Sequence, residues 1–274
     1  MMRRFALFFF CIFFFSLRAF AQGYDHSALD HFLKQYVDPS SHINYALAKK
    51  NHQELDRYLE QLKDIDLRAL RASPKSERLA FWINVYHAAL LSRILENYPI
   101  KSTQDIPSFW ERQFLQIGLK SENNQALYSL AEIRNEELVS AFQDEKVHLA
   151  LALAAKHGPL FPNEVFTGPR VLGQLFKSAR REVARREIVD GDTLKTPGSI
   201  RLSRIFEWYG PDFVNHYGRP ARRLKLSRTE TAVVNFLIRY SKDLALIRFL
   251  KSANYKIEYV PFDWTLNDTA SISG

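Results

Sequence analysis

The sequence predicts an α+β fold: a helix-rich single domain around a buried central helix, with a small, mainly antiparallel sheet. Three observations predict it. The stretch Arg78–Tyr98 (RLAFWINVYHAALLSRILENY) is apolar on nearly every side, the mark of a helix enclosed by others. Several further stretches carry an apolar stripe at helical spacing, while only a few short segments alternate as strands do. No repeat, low-complexity tract or linker interrupts the chain after its first residues, so one packed unit accounts for it.

The central helix has readable ends. Ser73-Pro74 supplies a hydroxyl cap followed by a residue with helical φ, and Pro99 stops the helix. The stretch is too short and too polar to span a bilayer. Asn84 and His87 sit inside it three residues apart and share a face. Buried polar groups need partners, so that face meets other polar groups or a cleft.

The chain begins with Arg3 and Arg4, an apolar run from Phe5 to Leu17, and Ala19-Phe20-Ala21. This is the pattern of a secretory signal peptide, residues 1–21, with the domain running over 22–274. The expected location is exported, periplasmic or secreted. No transmembrane segment is expected once the signal is removed. Cys11 is the single cysteine of the chain and lies in the signal. The remainder therefore offers no disulfide, no thiol nucleophile and no thiolate metal site. Loss of Arg3, Arg4 and Arg18 would lower the net charge from +8 to +5. That mild excess suits contact with an anionic envelope better than nucleic acid, and no nucleic-acid partner is expected.

In chain order, residues 25–37 form an amphipathic helix, and 53–62 a second. His26, His31, His42 and His52 are scattered among them and read as surface residues. Residues 125–128 suggest a short strand. Ser129 with Glu132 forms a capping box. Val147–Pro162 fits strand and helix equally. Thr167 is placed to cap a helix over about 169–187, whose arginine-rich end (Arg180, Arg181, Arg185, Arg186) reads as a solvated basic face. A hairpin over 188–195 and 199–202, a short helix over 203–209, a basic loop over 218–225, helices over 229–240 and 243–250, and a strand over 255–260 follow.

No P-loop, dinucleotide-binding glycine pattern, HExxH or GxSxG is present. The groups that could carry chemistry are His148 in an apolar run, His157 beside Gly158-Pro159, and Asp263 ahead of Asn267. Imidazole, carboxylate and amide are the parts that position a general base. Here they lack a nucleophile, and their spacing demands neither a metal nor a cofactor.

Together these segments resemble the DUF547 family. Phe81-Trp82-Ile83-Asn84-Val85-Tyr86-His87 resembles its FWIN-x-YN, and Val147-His148-Leu149-Ala150-Leu151 its RxHFAL. Leu202–Tyr209 resembles its LSxIFxWY, Phe262–Asn267 its YDWSLN, and Ile43-Asn44-Tyr45 its V/I-x-Y signature. The departures are informative. Where the family resembles CGAxSCP, this chain reads Leu153-Ala154-Ala155-Lys156-His157-Gly158-Pro159, so Leu153 and Gly158 stand at the cysteine positions. His87 stands at the family's second asparagine. The resemblance implies a scaffold without thiol chemistry. It would keep a cleft lined by the central helix, His148 and the Asp263-Trp264 segment, and bind an envelope peptide, glycan or protein. Asn84, His87, Lys156, Trp264 and Asn267 are the candidate binding residues. The rival is an envelope hydrolase or transferase using His148, His157 and Asp263, with or without a metal-bound water.

Overall fold

The computed structural model describes residues 23–118, 127–186, 188–190, 198–219, 226–252 and 255–272. The expected signal peptide, the turn of the hairpin at 191–197 and most of the basic loop at 220–225 lie outside the described residues.

The order begins with α1 (Ser27–Tyr36), α2 (Tyr45–Lys50), α3 (Gln53–Leu62), α4 (Leu67–Ala72) and α5 (Lys75–Asn97). The strands β1 (Leu115–Gln116) and β2 (Leu127–Tyr128) pair antiparallel. Next, α6 (Leu130–Glu132) runs into a π-helical stretch, Ile133–Ser140. A 3-10 turn at Glu145–Leu149 leads to α7 (Val171–Val183). The chain closes with β3 (Ser199–Ser203), α8 (Ile205–Trp208), α9 (Gly210–Tyr217), α10 (Arg228–Tyr240), α11 (Leu244–Lys251) and β4 (Lys256–Val260). The domain is helix-rich α+β, and its sheet comes as two two-stranded pieces. The shorter is antiparallel, and the longer, β3 with β4, is parallel. Val189 adds an antiparallel bridge to Leu202. Among the described residues no helix is long and apolar enough to cross a membrane.

The central helix is α5. From Leu79 to Leu91 every one of its side chains is buried, and it packs against α2, α3, α7 and the π-helical stretch. Its cap differs from the sequence expectation. Pro74 is the N-cap, while Ser73 closes α4 and turns its hydroxyl back to the Ala69 carbonyl at 2.9 Å. The capping box at Ser129 and Glu132 forms as the sequence indicates. Thr167 does not cap α7, because the helix begins at Val171 behind Arg170. The Thr167 hydroxyl instead accepts from Arg170 Nε. His26 is not a free surface residue either, since its Nδ1 lies 2.8 Å from the Tyr58 hydroxyl.

Two apolar clusters make the core. One surrounds α5; the other lies under β3, α8, α9 and α10. The helix α7 joins them, giving Val171 and Leu175 to the first and Ala179 and Val183 to the second. Its last turn corrects the picture of a solvated basic face. Glu182 is fully enclosed and pairs with Arg185 at 2.7 Å and Arg181 at 3.4 Å. Arg185 also donates to the Gly158 and Lys156 carbonyls, and Arg181 to the Leu160 carbonyl. A buried carboxylate needs such partners, and the arginines it holds clamp the 156–160 loop.

The chain's final segment acts as a seam. Thr265 bridges Ser102, Leu266 bridges Ala155, and Asp268 bridges Ile43. Asn267 accepts from the Tyr45 hydroxyl at 2.8 Å and donates to the Ser41 carbonyl at 3.0 Å.

Candidate functional site

The candidate residues separate into an interior set and a surface set. Asn84, His87 and Asn267 belong to the interior. Asn84 is 1% exposed; its amide donates to the Phe166 carbonyl and accepts from the Phe166 N–H, both at 2.8 Å. The side chain thus replaces a strand partner for that loop. His87 accepts from the Ala152 N–H at 3.3 Å and packs against the Phe161 and Phe166 rings. Burial pulls its pKa down to about 3, so it is neutral. The polar face of α5 therefore meets backbone partners, not a cleft. Asn267 likewise spends its side-chain oxygen on Tyr45 and its nitrogen on Ser41 within the seam.

His148 lies at the inner wall of a cleft of about 210 Å³ whose lining includes Ser140, Asp144, Glu145, Asp212 and Asn215. The ambiguous stretch around it is a 3-10 turn followed by irregular chain. The irregular backbone explains why period does not decide between helix and strand there. His148 is 2% exposed and stacks flat on Tyr209, with ring centres 4.3 Å apart. Its Nε2 is 2.7 Å from the Asp212 carboxylate, which is half-exposed. Burial holds the imidazole pKa down at about 4, with Arg134 lowering it further and Asp212 opposing. The neutral ring thus donates Nε2–H to Asp212. Its Nδ1 is enclosed and has no partner among the described residues. Arg134 sits 4.1 Å above the Tyr209 ring. Beside the pair, buried Glu145 binds His216 Nδ1 at 2.6 Å. Among the described residues, no three His, Asp or Glu side chains converge as a metal-ligand set.

The surface set is Lys156, His157, Asp263 and Trp264. His157 Nδ1 accepts the Asp263 N–H at 3.1 Å and lies 3.2 Å from the Pro261 carbonyl oxygen. No described residue bonds its Nε2. The Asp263 carboxylate accepts from the Thr265 amide at 2.9 Å. Thr265, then His157 and Lys156, hold that carboxyl below its ordinary range. Trp264 stacks on Trp208 at 5.8 Å and 25°, and Phe262 packs 4.6 Å from Trp264 and 5.0 Å from Trp208. His157 meets the edge of Phe262. The result is a three-ring aromatic surface with an imidazole, a carboxylate and an exposed ammonium around it. The clamp of Arg181 and Arg185 fixes one side of it, and the α8 turn fixes the other.

His148 and His157 do not converge. Tyr209 and Trp208 link their surroundings instead: Tyr209 stacks on His148, and Trp208 meets Tyr209 edge-on. Sequence reasoning missed Trp208, Phe262, Tyr209, Arg134 and Asp212 as site residues. Trp208 and Phe262 stood in quoted motifs. Their joint surface, with Trp208 38% exposed, depends on the contact of α8 with the segment after β4, which sequence period does not encode.

Residues 70–181 match the family model of a protein of unknown function, DUF547. The DUF547 match runs from α4 through most of α7, so it holds Asn84, His87, His148, Lys156 and His157. Asp212, the aromatic surface and the seam lie beyond it. No curated protein and no solved structure matches the chain.

Proposed function

We propose that this is an exported, non-catalytic domain that binds a glycan of the cell envelope on the Trp208–Phe262–Trp264 surface. The observation that carries this reading is the aromatic trio itself. Large rings left at a surface, stacked on one another and fixed by a folded turn, favour a partner with flat apolar faces. Sugar rings have such faces, formed by their C–H bonds, while their hydroxyls need donors and acceptors around the rim. Asp263, His157 and Lys156 supply these. The expected signal peptide and the mild positive charge fit an envelope ligand.

The test is cosedimentation of the purified chain with insoluble cell-wall glycan. Trp208→Ala and Trp264→Ala should each lower affinity by about 2 kcal/mol, roughly thirtyfold, as hot-spot aromatics do. Both sit at the surface, so the fold should survive, with unchanged far-UV circular dichroism. Undiminished sedimentation of both variants would contradict the reading.

The hydrolase alternative draws its support from the 2.7 Å His148–Asp212 pair. Against it stands the enclosure of Nδ1, the one atom of the ring free to accept a proton.

The cysteine departures fit a non-thiol reading too. A Cβ placed on Gly158 would lie 3.0 Å from the Leu153 Cβ, nearer than the roughly 3.5–4.5 Å of a disulfide, so the two positions are neighbours that must part by about half an ångström to hold one. The two positions read as a cross-link rather than as a nucleophile and its helper. Leu153→Cys with Gly158→Cys, in a Cys11→Ser background, should therefore oxidise to a single disulfide, seen as loss of both free thiols by titration and a matching intact mass. Two persistent thiols under oxidising conditions would rule the cross-link out.

A further inference from the structure

A second cleft, of about 220 Å³, is framed by α4, the start of α5, β2 and the π-helical stretch. Its lining includes Arg71, Arg78, Trp82, Tyr128, Glu137 and Phe142. Trp82 and Tyr128 rings stand 5.4 Å apart at 53°, so one wall is aromatic. Arg78 spends Nη1 on the Arg71 carbonyl at 2.8 Å. That leaves Nη2, which has no partner among the described residues, to donate to a carboxylate in the cleft. The enclosed Nε also has no partner among the described residues, so the guanidinium is under-satisfied where it stands. Glu137 sits half-buried in the same lining; burial lifts its pKa, Glu136 adds to the lift, and Arg71 opposes it. The volume falls below the roughly 300–1,000 Å³ of drug-sized sites and suits a smaller molecule.

We propose that this cleft binds a free α-amino acid with an apolar side chain. Arg78 and Arg71 take its carboxylate, Glu137 takes its ammonium, and Trp82 and Phe142 cover the side chain. The site stands apart from the aromatic surface and does not depend on the glycan reading.

The experiment is isothermal titration of the purified chain with L-leucine, N-acetyl-L-leucine and L-leucinamide. Leucine should bind saturably, and each blocked analogue should bind at least roughly tenfold more weakly, because each leaves one charged group of the site unpaired. Glu137→Gln should weaken leucine by a similar factor and leave N-acetyl-leucine unchanged. Arg78→Gln should abolish leucine binding, and circular dichroism reports whether that variant has folded. Glu137→Gln keeps the test decisive if Arg78→Gln does not fold. Equal binding of leucine and leucinamide, or no binding of leucine, overturns the proposal. N-acetyl-leucine binding as tightly as leucine also overturns it, and would mark a site for a peptide carboxyl end instead.

Discussion

Asn84→Ala should destabilise the chain by about 2–5 kcal/mol in urea unfolding, the sum of two unmade buried hydrogen bonds and a small cavity. The effect is large because the amide serves Phe166 twice, at 2.8 Å in each direction. Without it, a buried N–H and a buried carbonyl lose their only described side-chain partner. The Phe166 loop precedes α7, whose last turn holds the 156–160 loop through Glu182, Arg181 and Arg185. A measured loss under a tenth of that range would mean that the loop finds other partners and that Asn84 is free for another role. Asn84→Asp should be nearly as harmful, since a carboxylate can accept from Phe166 but cannot donate to it.

The second large effect is a loss of stability in mild acid. His87 and His148 are held neutral by burial, with pKa values lowered from 6.5 to about 3 and about 4. Between those values and 6.5 the unfolded chain binds protons that the folded chain refuses. Stability is therefore complete above about pH 6.5 and falls as pH drops toward the folded values. One pKa unit is about 1.4 kcal/mol, so the full windows amount to on the order of 5 kcal/mol for His87 and 3 kcal/mol for His148. His26, lowered to about 4, adds in the same direction. Urea midpoints measured from pH 7.5 to 4 should fall steeply below pH 6.5, and His148→Gln should flatten part of that slope. A level profile would mean that the two imidazoles are solvated in solution.

Much of the fold is legible in the sequence, and the reasons are local. The apolar run of α5, the Ser129–Glu132 capping box and the stripe of α7 each rest on residues within a few turns of one another. Long-range pairing is not legible. Nothing in Ser199–Ser203 says that it lies parallel to Lys256–Val260 across α8 to α11. The site suffered from the same limit. Asn84 and Asn267 looked like ligand-binding amides because a buried amide and an exposed one have the same letter. Only the Phe166 and Ser41 backbones, supplied from distant segments, distinguish them. Arg181 and Arg185 looked like a basic face because helix period places them near the surface. The enclosed Glu182 between them turns them inward. The sequence marks Trp264 and not Trp208 as a candidate, although they form one surface. What pairs them is the packing of α8 against the segment after β4.

We propose that sugar rings stack on the Trp208–Phe262–Trp264 surface. The most direct measurement is a tryptophan-fluorescence titration with a soluble oligosaccharide of N-acetylated hexoses, wild type beside Trp264→Phe and Trp264→Ala. Wild type should give a saturable change, phenylalanine should keep most of its affinity, and alanine should bind roughly thirtyfold more weakly. A wild-type signal that does not saturate, or equal affinity for wild type and Trp264→Ala, would contradict it.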